Sequence, residues 1–303
     1  MIHIENLWKK FRRHDALRGL SFAVEPGSAL AFVGANGAGK TTTIKILMNI
    51  LEPTRGSVRI LGVDSRRISP AELSQIGYVA ESQRFPGAMT VSDYIDYLRP
   101  FYPSWDRDLE SSLRQHLDLP PKRRIAELSH GMRMKMALTC SLSFRPKLLI
   151  LDEPFSGLDA FVRDEIMEGL LGQAGEMTVL ISSYELDEIA GMIIDVVFIE
   201  EGRLLFQESM GGLSERFREV RVTLDREATV PVANPNGWMN IQAMGSVLTF
   251  VDGHYTERDS GEKIRTQITG VRSIDTEAMS LRSIFTTLVR QARATRRAEG
   301  GAR

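Results

Sequence analysis

The chain has 303 residues and a net charge of −1, enough for one large domain or two smaller ones around a substantial core. Near-neutral charge argues against bulk, charge-driven binding to nucleic acid. The single cysteine, Cys140, excludes an internal disulfide and a cysteine metal cluster and fits a reducing compartment. No run reaches the roughly 18 apolar residues of a membrane helix, and Met1-Ile2-His3-Ile4-Glu5 lacks a signal-peptide layout. The sequence therefore reads as intracellular, with any membrane role reached through a partner.

In chain order, Ala29 to Val33 is an apolar run that predicts a buried strand, followed by a glycine-rich loop and a helix over Thr41 to Leu51 that stops near Pro53. Between residues 82 and 145 the pattern is helical, with Leu109, Leu113 and Leu117 recurring at i+4. Leu148 to Leu151 and Thr178 to Ser182 are further buried strands, and Glu201-Gly202 is a hairpin signal between Val196–Glu200 and Arg203–Phe206. Such alternation is that of an α/β fold. Gly211-Gly212 marks a joint. Beyond it, Glu219 to Leu224 and Ser246 to Val251 alternate as strands, and Leu281, Ile284, Phe285, Leu288 and Val289 form a helical stripe capped by Ser280. The segment from Arg290, with Arg293, Arg296, Arg297 and Arg303, reads as a frayed, solvated tail; the sharper alternative is attraction to an anionic membrane surface.

Gly34-Ala35-Asn36-Gly37-Ala38-Gly39-Lys40-Thr41, with Thr42 beside it, fits G-x-x-x-x-G-K-[ST] between a strand and a helix. The glycines let backbone N–H groups turn inward toward phosphate oxygens, and the helix start behind them favours an anion. Lys40 can reach the β- and γ-phosphates, and the Thr41 hydroxyl can ligate Mg²⁺. Leu148 to Leu151 then delivers Asp152, suited to the Mg²⁺ shell, and Glu153, suited to polarise an attacking water.

Leu128-Ser129-His130-Gly131-Met132 before these acids and Pro154-Phe155-Ser156-Gly157-Leu158-Asp159 after them narrow the class. Here the sequence resembles the ABC ATPase family over about residues 2 to 208. In that family a Leu-Ser-Gly-Gly-Gln signature lies at this place in most members, and the second stretch is the D-loop. The resemblance implies a P-loop NTPase of the ABC ATPase type with a helical subdomain at about 82–145. It implies a dimer closed head to tail over two MgATP, Ser129 and the Gly131 N–H meeting the partner's γ-phosphate, with Asp159 beside them. It also implies that Phe11 stacks on adenine, needing only a π-face.

His130 and Met132 depart from the common signature, and two further departures from the family pattern matter more. The glutamine of the Q-loop falls at Glu81, with Gln83 two residues on; either can approach Mg²⁺ or the water. The switch histidine falls at Tyr184, whose phenol donates a hydrogen bond but stays neutral at pH 7. Phe85-Pro86-Gly87-Ala88-Met89-Thr90-Val91 lies where the family docks its membrane subunit.

The sequence thus predicts an ABC ATPase domain at 1–208, a small α+β domain at 213–289 and a basic tail at 290–303. The expected function is an ATP-hydrolysing motor of an exporter-type transporter, working with a separate transmembrane permease and a second ATPase subunit on the cytoplasmic face of the membrane, with no nucleic-acid partner. The alternatives are a soluble ABC ATPase acting on ribosomes or DNA and a nucleotide-binding regulator with little turnover.

Overall fold

The computed structural model describes residues 1–303 except 173–176, 185–188, 190, 192, 231–236 and 301–303. Arg303 of the sequence reading lies outside the described residues. The chain divides into two compact units, Met1–Gln207 and Glu208–Arg303.

The first unit opens with β1 (Ile2–Phe11) and β2 (His14–Val24), an antiparallel hairpin pairing Ile2 with Val24 and Phe11 with His14. β3 (Ala29–Val33) leads to α1 (Lys40–Leu47), then β4 (Arg55–Ile60) and β5 (Val63–Asp64) complete an antiparallel sheet of order β2-β1-β4-β5. Pro70–Leu73 forms the short α2, with Ser69 and Glu72 making a capping box. β6 (Ile76–Val79) follows, and then the helical stretch: α3 (Val91–Leu98), α4 (Arg107–His116) and α5 (His130–Leu142). β7 (Leu148–Asp152), α6 (Ala160–Leu171), β8 (Thr178–Ser183), β9 (Asp195–Glu200) and β10 (Arg203–Ser209) follow in chain order.

The second sheet has the order β10-β9-β3-β8-β7-β6, with β9, β3, β8, β7 and β6 parallel. Burial on both faces explains why these strands are apolar throughout instead of alternating. Ile44, Ile46 and Leu47 of α1 are fully buried in a cluster that also takes Ile2, Leu20 and Ile60 from the antiparallel sheet and Phe32, Leu148 and Leu180 from the parallel one. The helical stretch has its own core of Val91, Ile95, Leu117, Met136 and Cys140. Burial pushes the Cys140 thiol up to about 12, with the nearby Glu110 carboxylate adding to the shift.

That core revises the expected docking surface. Val91 is fully buried, and Met89 and Phe85 pack against the same cluster, Phe85 edge-on to Tyr94 at 5.5 Å between ring centroids. Val91 thus belongs to the core, whereas Phe85 and Met89 pack against it with part of their surface exposed.

The second unit carries α7 (Met210–Arg216), β11 (Arg218–Leu224), β12 (Met239–Met244), β13 (Val247–Asp252), α8 (Ser260–Gln267), β14 (Val271–Ala278) and α9 (Leu281–Gly300). Its antiparallel sheet has the order β12-β13-β11-β14. Val220, Val222, Leu248 and Phe250 share one face with Ile264 of α8, and Trp238 stacks on Phe250 at 4.1 Å. The segment read as a frayed tail is instead helical through Arg290 to Gly300. Alanine and arginine dominate it, and both are strong helix formers.

Candidate functional site

Parallel strands deliver their carboxyl ends to one edge of the sheet, where ligands of open α/β folds bind. Four neighbouring ends, in the spatial order β3-β8-β7-β6, carry the glycine-rich loop, Tyr184, the Asp152-Glu153 pair and the approach to Glu81.

The loop is shaped by backbone conformations that need glycine. Gly39, at the N-cap of α1, has φ +111°, and a Cβ there would lie 2.6 Å from Leu17 Cδ2 and 2.9 Å from Ala16 O. The start of α1 has no side-chain cap, so its first N–H groups remain for an anion. The loop is also braced from behind: Gly202 N–H donates to Ala38 O at 2.9 Å, and Arg18 N–H donates to Gly202 O at 2.8 Å. The Glu201-Gly202 turn, read from sequence as a hairpin alone, therefore also supports the loop.

Lys40 is 5% exposed, and its ammonium donates to Gly34 O at 2.5 Å. It also forms an ion pair with Glu153 Oε1 at 2.9 Å. The angles of that contact are not those of a hydrogen bond, so this buried carboxylate oxygen keeps an unused acceptor site. Glu153 has φ +51°, a left-handed conformation that costs about 1–3 kcal/mol in a non-glycine residue. Its N–H is fixed by Ser182 Oγ at 2.9 Å. Asp152 Oδ1 accepts from Thr41 Oγ1 at 3.2 Å and from Ser182 Oγ at 2.7 Å. Ser182 thus orients both acids. Sequence reading missed it, because only the parallel register Asp152↔Ser182 brings the two together. Tyr78 on β6 has its phenol pushed up to about 12, by burial first and then by the Asp152 carboxylate.

A cleft of about 370 Å³ opens over the loop, lined by residues of Ala35–Thr42 together with Phe11, His14, Glu81 and Glu153. Phe11 is 41% exposed there, with Lys9 Nζ 5.0 Å from its ring centroid. His14 faces it across the hairpin and had given no signal in the sequence, where no ligand spacing marks it. Of the two Q-loop candidates, Glu81 lines the cleft. Gln83 lines a separate hollow against α5, with a buried side-chain oxygen that accepts no hydrogen bond.

Tyr184, Ser129, Gly131 and Asp159 do not line the cleft. Tyr184 is 44% exposed just past β8. Ser129 caps α5 by accepting from Met132 N–H at 3.2 Å, and Asp159 caps α6 by accepting from Val162 N–H at 3.0 Å.

A family profile described as ABC transporter matches residues 17–156. The lantibiotic transport ATP-binding protein SrtF of Streptococcus pyogenes is 31% identical over 222 residues, covering 73% of this chain and 95% of that protein. The ABC transporter ATP-binding protein YtrB of Bacillus subtilis (strain 168) is 26% identical over 238 residues, covering 78% of this chain and 81% of that protein. Among solved structures, one described as the ATP binding subunit of an ABC transporter superposes with a TM-score of 0.64 at 24% identity, over 70% of this chain and 91% of that one.

Proposed function

The chain belongs to the ABC transporter family as an ATP-binding, ATP-hydrolysing subunit, and from that premise we propose that two such subunits close head to tail over two MgATP to drive a separate transmembrane permease of the exporter type. The observation that carries this reading is the convergence of the loop, Lys40, Thr41 and Glu153 on one cleft, with Asp152 hydrogen-bonded to Thr41.

The residues fit what they are asked to hold. The uncapped start of α1 and the loop amides suit the phosphates, and Lys40 supplies the cation beside them. Thr41 and Asp152, already hydrogen-bonded to each other, are an oxygen pair suited to Mg²⁺, with Glu81 at the rim of the same cleft. Bound there, Mg²⁺ would offset charge on the β- and γ-phosphate oxygens. Glu153 takes the proton of the attacking water once Lys40 turns to the phosphates, and its N–H, fixed by Ser182, holds it for that task. Phe11 presents a ring face to the base. In the dimer, Ser129 and the Gly131 N–H of one subunit complete the phosphate site of the other.

No helix among the described residues is long and apolar enough to cross a membrane. The permease is assigned to the aromatic hollow of about 270 Å³ lined by Phe85, Leu73, Tyr94, Leu98 and Tyr102 and to the exposed Tyr97–Phe101 pair, packed edge-on at 5.5 Å. Apolar surface of this kind is what a partner covers. The test is Glu153→Gln with MgATP: an ATP-dependent shift from monomer to dimer in light scattering supports the sandwich, and a monomer at saturating ATP refutes it. Phe101→Asp, at a side chain 61% exposed, should keep ATP binding and lose co-purification with the permease.

A further inference from the structure

His130 stands where the signature motif of most family members has glycine, and it is the first residue of α5. Its Nε2 lies 3.1 Å from the main-chain oxygen of Ser156. A carbonyl only accepts, so Nε2 carries the hydrogen. Ser156 N–H in turn donates to Glu153 O at 3.2 Å. Two hydrogen bonds thus join the residue after Ser129 to the main chain of the residue that polarises water.

The same two helix starts are fastened at two further points. Gly131 sits so close to α6 that a Cβ there would lie 3.0 Å from Val162 Cγ1. One turn further along α5, Lys135 and Glu165 form an ion pair at 2.7 Å, both side chains largely buried. These two contacts set the spacing of the helices. The His130 bond differs from them, because it reaches the turn between Glu153 and Asp159 and not a helix flank.

The geometry points to His130 as a positioning residue that links the two ATP sites of the dimer within one subunit, through an exposed side-chain bond at the start of α5. The inference rests on the head-to-tail arrangement proposed above. There Ser129 meets the nucleotide held by the partner's loop, whereas Glu153 serves the nucleotide held by its own. When phosphate draws the start of α5 toward the partner's site, the imidazole carries that displacement to Ser156 and hence to Glu153. A glycine at position 130 has no side chain to make this bond.

Phosphate release by the full chain, measured against ATP concentration, tests it. Wild type should give a Hill coefficient above 1, rising toward about 2 for two coupled sites. His130→Ala should lower it toward the smaller value that ATP-driven dimerisation alone gives, while the affinity for a fluorescent ATP analogue and the thermal midpoint stay at wild-type values. His130→Gln places an amide N–H at similar reach and should restore cooperativity; His130→Phe, of similar bulk without a donor, should not. A wild-type Hill coefficient in His130→Ala, or one restored equally by Phe, overturns the assignment while leaving the dimer intact. A wild type that is non-cooperative, with a Glu153→Gln variant that stays monomeric in MgATP, overturns the dimer and this inference together.

Discussion

Lys40 Nζ stands 2.9 Å from Glu153 Oε1, with the two side chains 5% and 9% exposed. The cation that the phosphates need and the carboxylate that the water needs are thus each other's partner. On the function proposed above, ATP takes Lys40 away from Glu153 and so releases the carboxylate toward the water. Occupancy of the cleft and readiness of the base become one event.

Glu153→Gln should therefore lower turnover by about 10²-fold or more, and ATP should bind at least as tightly as to wild type, since Lys40 leaves a weaker partner. Lys40→Ala should weaken ATP binding by well over tenfold. It should also lower the stability of the nucleotide-free chain by about 3–5 kcal/mol, because it strands a buried carboxylate. Titration calorimetry and urea unfolding of the two variants check both halves. A tenfold loss of ATP affinity in Glu153→Gln would contradict the competition.

Tyr184 offers one neutral donor where the family's histidine sits, and loss of a well-aimed donor costs about 10²–10³ in rate. Tyr184→His should raise kcat with little change in ATP affinity, and Tyr184→Phe should lower it. Steady-state phosphate release with the permease present is the measurement. A slower histidine variant would mean that the tyrosine suits this site.

Gly202 should tolerate no side chain. Its φ is +77°, and a Cβ would lie 2.5 Å from Ala16 O and 2.8 Å from Leu17 Cα, both backbone atoms. The left-handed conformation alone costs about 1–2 kcal/mol for a non-glycine residue. Gly202→Ala should lower the melting temperature by at least about 3–8 °C and weaken ATP binding through the lost brace on Ala38. An unchanged melting temperature would show that the turn can shift away from the loop.

The helical subdomain should lose stability in acid. Glu110 is 4% exposed, and burial pulls its carboxyl pKa up. The bonds from Arg99 Nη2 at 2.8 Å and Trp105 Nε1 at 2.9 Å outweigh burial, so the net shift is downward from the ordinary glutamate value. A carboxyl whose folded pKa is depressed contributes stability above the unfolded value and loses it as pH falls through the folded one. Unfolding free energy should thus decline below about pH 4.5, and Glu110→Gln should flatten that decline. Chemical denaturation from pH 3 to 6 reads it directly; an unaltered acid slope in the variant would place the sensitivity elsewhere.

The motifs of the cleft were legible because their chemistry is local. The glycine spacing, Lys40, Thr41 and the Asp152-Glu153 pair lie within short windows, and each sits where the sequence pattern puts it. What escaped depends on pairing between distant strands. Ser182 becomes an orienting residue only when β8 lies beside β7, and Gly202 a brace only when its turn meets Ala38. His14 reaches the cleft through a hairpin partner. β14 was missed for another reason: its sequence Val-Arg-Ser-Ile-Asp-Thr-Glu-Ala is exposed along most of its length, so no alternation marks it. The apolar stretch 85–91 divides between the two roles, Val91 buried in the core and Phe85 half-buried at the hollow, because a core residue and a docking residue look alike in sequence.

Cys140 has a practical consequence. Burial keeps the Cys140 thiol protonated at neutral pH, and the residue lies in the core of the helical subdomain. The wild-type chain is therefore already a silent background for thiol chemistry. A single cysteine introduced at an exposed position, such as Phe161 at the start of α6 or Met244 at the end of β12, would take a maleimide fluorophore alone. Distances between two labelled subunits could then be followed through the ATP cycle without first engineering the native residue away.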